Sequence, residues 1–70
     1  MFILGGTVRA VQDWARTRGI DHAVAVTQTH QLADFRGHQL IVLPGYIRAP
    51  LHAELLVAAR RYGLEVWWES

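Results

Sequence analysis

Met1-Phe2-Ile3-Leu4-Gly5-Gly6-Thr7 is the stretch on which the fold turns. Its first four residues are apolar without alternation, as in a strand buried on both faces inside a parallel sheet. Two glycines end the run, and Thr7 is a good N-cap for a helix reaching to about Arg18, with Gly19 just past its end. At 100° per residue Val8, Val11 and Ala15 share one stripe with Trp14 on its flank, while Arg9, Asp13 and Arg16 lie on the other side. A strand that passes through a glycine turn into an amphipathic helix is the first half of a β-α-β unit.

The rest of the chain completes that unit and adds a second. Ala-Val-Ala-Val-Thr at 23–27 reads as the next strand. Thr29 can cap a short helical turn over 32–35, closed by Gly37. Gln-Leu-Ile-Val-Leu at 39–43 is a third strand, apolar on both sides, and Pro44-Gly45-Tyr46 breaks it. Pro50 can open a second helix at its tolerated first position, with Gly63 as the stop. Leu-Glu-Val-Trp-Trp-Glu at 64–69 is the last strand. An internal echo marks the two helix ends: Ala15-Arg16-x-x-Gly19-Ile20-Asp21 recurs as Ala59-Arg60-x-x-Gly63-Leu64-Glu65. Strands alternating with helices imply parallel pairing and right-handed crossovers. The expected architecture is a single α/β domain over residues 1–70. Its four-stranded parallel sheet, in the order 2-1-3-4, is a Rossmann- or flavodoxin-like half fold with the two main helices on opposite faces.

Composition narrows the functional classes. A chain of 70 residues buries only about 60% of the surface its unfolded form exposes, so its stability is small and self-association is a natural supplement. There is no cysteine, hence no disulfide and no Cys-based zinc site, and a reducing, cytoplasmic setting is expected. No apolar run approaches the ~20 residues of a membrane span, and no basic lead precedes the short N-terminal one, so neither membrane insertion nor export is expected. A net charge of +1 gives no footprint for nucleic acid. All seven basic residues are arginine, which points to a GC-rich coding source such as an actinobacterium or its phage.

In open α/β sheets ligands bind beyond the carboxyl ends of the strands, where the order reverses. Here that crevice lies between the first and third strands. Gly5, Gly6 and Thr7 would line one side and Gly45, Tyr46 and Arg48 the other, with Thr27 nearby at the end of strand two. Free N–H groups at the helix start could seat a phosphate or nucleotide, with Arg48 completing the site. Neither of the usual glycine-rich phosphate motifs is present, and a tight strand-to-helix turn also calls for glycine. The four histidines, His22, His30, His38 and His52, include no i, i+4 pair beside a carboxylate, so no metal site is expected. No cofactor is expected either.

Two resemblances add to this. Leu-Ile-Val-Leu-Pro-Gly-Tyr at 40–46, Glu54, and Ala59-x-x-x-Gly63-x-x-Val66 resemble the C-terminal half of nucleoside deoxyribosyltransferase-like proteins, where a strand, a loop and a helix carry a nucleophilic Glu. That resemblance implies a sugar-transfer enzyme. The chain departs from the pattern at the critical place. Aligned by Ala59, Gly63 and Val66, the nucleophile position falls on Leu55, and Pro50 and Leu51 stand where small residues are expected. Gly5-Gly6-Thr7, Ala15-Arg16-x-x-Gly19, Gln31-Leu32 and Phe35-Arg36-Gly37 resemble small uncharacterised proteins of actinobacterial phages. This second resemblance implies an accessory role that works by contact with a host or phage protein.

Topology makes the sharpest expectation. A helix ~10 Å across shields about two strands spaced ~4.8 Å apart. In the order 2-1-3-4 the first helix covers strands one and two, and the second covers three and four on the opposite face. Strands three and four then lack a helix on the first helix's side. Leu64, Val66 and Trp68 should meet the second helix, while Trp67 should stand uncovered near Trp14. Trp14, Trp67 and Trp68 are therefore the expected anchors of a protein interface, formed with a second copy or with another protein.

Overall fold

The computed structural model describes residues 1–69. Strand β1 (Phe2–Leu4) leads into helix α1 (Val8–Thr17), followed by β2 (Val24–Ala25), a 3-10 turn at Thr29–Leu32, β3 (Gln39–Val42), a second 3-10 turn at Tyr46–Arg48, helix α2 (His52–Arg61) and β4 (Glu65–Trp68). The four strands form one sheet in the order β2-β1-β3-β4, and every neighbouring pair is parallel. The crossovers through α1 and α2 return each strand in the direction of the one before, as parallel pairing requires.

Side-chain alternation divides the core between the two faces of the sheet. Phe2, Leu4, Leu40 and Val42 point to the side where α2 packs, joined by Leu55, Ala58 and Ala59 from the helix and by Leu32 from the first 3-10 turn. Ile3 points the opposite way, where α1 supplies Val11 and Ala15 and where Leu43 completes a smaller cluster. Two elements roof the first face and one helix roofs the second, so the α1 side holds much the smaller core.

Local chemistry fixes the helix ends. The Thr7 side chain accepts a hydrogen bond from the Ala10 amide at 3.0 Å, satisfying one of the free donors of the first turn. Thr7→Ala is expected to cost about 1 kcal/mol. That should lower the midpoint of a thermal melt by about 4–8 °C in a domain of this size. Both helices stop in the same way. Ile20 N–H donates to Ala15 O and Gly19 N–H to Arg16 O, at 2.9 and 3.1 Å; Leu64 N–H donates to Ala59 O and Gly63 N–H to Arg60 O, at 2.9 and 3.2 Å. The glycines carry φ of +65° and +78°, the left-handed geometry of this cap. The sequence echo is thus a repeated stop signal with repeated hydrogen bonding.

Several boundaries differ from the sequence reading. Pro50 does not open α2, which begins at His52, because the 3-10 turn at Tyr46–Arg48 and the turn through Ala49 take up the intervening chain. Strand β2 is reduced to Val24–Ala25 because the Gln31 side-chain carbonyl captures the amides of Thr27 and Gln28, at 2.7 and 2.8 Å, and turns the chain out of the sheet. The helical turn expected at 32–35 lies instead at Thr29–Leu32, with Gln28 rather than Thr29 at its start.

Candidate functional site

The crevice expected between β1 and β3 is filled by backbone. A Cβ added to Gly6 would stand 2.7 Å from Gly45 O and 3.2 Å from the Arg48 Cβ, so the two loops already touch. The open space lies one strand over, beyond the ends of β1 and β2. There a cavity of about 270 Å³ is walled by Gly5, Gly6, Thr7, Val8 and Val11 on the α1 side, Ala25 to Gln28 on the β2 side, and Ala49, Pro50, Leu51 and Leu55 on the third. Of the residues expected to bind a ligand, Gly5, Gly6, Thr7 and Thr27 line this cavity, whereas Gly45, Tyr46 and Arg48 do not.

The chemistry of that cavity is apolar. Most of its walls are aliphatic, and no charged side chain lines it among the described residues. Part of its polar lining is engaged: the Thr7 side chain caps α1, and the Thr27 and Gln28 amides are held by Gln31. A phosphate brought here would meet α1's first turn but no cation to neutralise it. Leu55, at the position of the deoxyribosyltransferase nucleophile, is 1% exposed and buried in the main core, and Glu54 is exposed on a different surface beside Arg61. Among the described residues no group of three or more His, Asp or Glu side chains could hold a metal ion.

The three tryptophans are distributed over both faces. Trp67 pairs in register with Ile41, on the α1 side of the sheet, and is 54% exposed. Trp14 is half-buried against the smaller core, and its ring lies under the Arg18 guanidinium, 4.7 Å from the ring centroid. Arg18 in turn reaches Glu69 at 3.1 Å. This arm from the end of α1 to the end of β4 is the only ion pair among the described residues joining α1 to β4, and it borders the strip left open by the helix. The sequence reading missed this arm. The Trp14–Arg18 spacing of four on a helix was a legible signal, but Glu69 lies 51 positions from Arg18.

Trp68 corrects an expectation. It does face the α2 side, yet it is 58% exposed. Its neighbour is Tyr46, edge to face with ring centroids 5.3 Å apart, and Tyr46 also meets His52 at 5.8 Å. Tyr46, expected to line the ligand crevice, serves instead as the support for Trp68. The division between faces is the expected one: Trp14 and Trp67 belong to one face and Trp68 to the other.

Together the fold and these surfaces define a small parallel α/β domain with an open edge strand and one incompletely covered sheet face. Comparison with protein-family models, with curated proteins and with solved structures gives no significant match. Among the described residues no helix is long and apolar enough to cross a membrane.

Proposed function

We propose that this chain is a protein-contact module that associates with a second copy of itself, using the side of the sheet beyond α1 and Trp67 as its anchor. One observation carries the reading: an indole 54% exposed on the edge strand β4, standing beside a half-buried Ile41 of the inner strand β3. Strands of a parallel sheet are ordinarily covered on both faces, and an uncovered apolar strip on a small domain marks an interface. A net charge of +1 leaves little repulsion between copies. The shortage of core on the α1 side is also what association would supply. The setting we propose is the cytoplasm, in the accessory role implied by the phage-protein resemblance. The uncharged cavity and the position of Arg48 outside it disfavour the phosphate or nucleotide reading. Nothing about Glu54 favours a transferase.

Sedimentation equilibrium from micromolar to millimolar concentration tests this directly. The wild type should shift from monomer to dimer. Trp67→Ala should weaken the dimer by about 2 kcal/mol per chain and, counted twice in a symmetric pair, by on the order of a thousandfold. A wild type that stays monomeric at millimolar concentration, or a Trp67→Ala variant that pairs as tightly, would overturn the proposal.

A further inference from the structure

Strand β4 closes one end of the sheet, with β3 on one side and, among the described residues, no strand on the other. The amides of Glu65 and Glu69 donate inward, to His38 O and Val42 O, each at 2.9 Å. Backbone groups alternate along a strand, so Trp67 also bonds toward β3, and the N–H and C=O groups of Val66 and Trp68 face the open side. The opposite edge offers less: β2 is two residues long, and of the amides that face away from β1 the one of Thr27 is already held by the Gln31 side chain at 2.7 Å. One strand thus presents two outward donor–acceptor pairs, spaced two residues apart.

We infer that two copies join edge to edge, β4 running antiparallel to the partner's β4 in the register that sets Trp67 on the two-fold axis. This rests on the self-association reading above and adds a strand-edge contact to it, one that brings the two Trp67 side chains together without covering Ile41. A two-fold contact is self-complementary, and between edge strands it is antiparallel. In this register Val66 lies opposite the partner's Trp68, and Trp68 opposite the partner's Val66, so all four outward-facing residues exchange both bonds. A slip toward the strand's start would bring Trp68 against the partner's Leu64, whose amide is already bound to Ala59 O. Trp67 meets the partner's Trp67 as a non-hydrogen-bonded pair, the closer kind, on the α1 side. Glu65 then faces the partner's Glu69. Opposed carboxylates resist pairing, but Glu69 already carries Arg18 at 3.1 Å, which brings a cation to the two acids.

Backbone and cross-linking variants test the register apart from association itself. Val66→Pro removes an outward N–H without touching a bond to β3, and Val66→Ala loses the same packing but keeps the amide. The dimer dissociation constant should rise on the order of tenfold to a hundredfold for Val66→Pro relative to Val66→Ala, from two lost hydrogen bonds. Because the chain has no cysteine, Glu65→Cys and Glu69→Cys can be mixed and oxidised cleanly. A disulfide should form between the two variants in preference to either with itself. Cross-linking requires no proline in the strand, so it decides the matter even where Val66→Pro folds poorly. A wild type that dimerises while neither the proline effect nor the mixed disulfide is seen would overturn the edge pairing and leave the Trp67 face as the contact. A wild type that never dimerises would overturn both.

Discussion

Replacing Leu40 with alanine is expected to lower the unfolding free energy by about 2–5 kcal/mol. Leu40 is fully buried in β3, an inner strand of the sheet, between Phe2 of β1 and Val66 of β4 in register, and beneath α2. Removing its branched end leaves a hole whose walls come from three strands and a helix, none of which can move in without disturbing the others. A 70-residue domain holds roughly 3–10 kcal/mol in total, so this single change should consume a large share of it. Urea unfolding followed by tryptophan fluorescence reads the result, at a concentration low enough to keep the chain monomeric. Ile41→Ala, the neighbour on the other face, is half-buried and should cost clearly less. Equal losses at the two positions would contradict the division of the core into a larger and a smaller half.

That asymmetry was legible from the residues themselves. Unbroken apolar runs in the first and third strands implied burial on both faces, and glycine stops after each helix set the lengths of the connections. Together with right-handed crossovers these give the sheet order that the structure shows. The exposure of Trp67 follows from the same geometry, since α1 lies over the other half of the sheet. What could not be read was anything decided by a side chain reaching across the chain. Gln31 captures two amides after β2 and shortens the strand. Tyr46, held in a 3-10 turn that no local signal announced, becomes a support for Trp68. The same turn delays α2 to His52 and so sets the third wall of the cavity. The candidate ligand residues were thus half right in place: the glycine turn and Thr27 reach the cavity, and the loop after β3 closes against Gly6 instead of lining it.

Gly6→Val is the second change expected to be severe, destabilising by about 2–3 kcal/mol through overpacking. The added Cβ would lie 2.7 Å from Gly45 O, which is backbone and cannot rotate away, and Gly45 itself is held at φ +86° by the turn it makes. Relief requires the β1–α1 loop and the β3–α2 loop to separate, which strains the Leu43 amide bond to Leu4 O at 2.9 Å just below them. Two other glycines separate this cause from general intolerance. At Gly5 the nearest atom to a new Cβ is the Val11 Cγ2 at 2.8 Å, a stiff side chain only 2% exposed, so Gly5→Ala should also cost stability, though less than the larger valine set against backbone at Gly6. At Gly37 nothing among the described residues lies within 4 Å and only the positive φ of +87° opposes a side chain, at a cost of about 1 kcal/mol. The expected order of loss in denaturant midpoints is therefore Gly6→Val above Gly5→Ala and Gly37→Ala. If Gly6→Val instead folds with wild-type stability, the two loops can part, and the β1–β3 crevice that the structure shows closed would be available to a ligand after all.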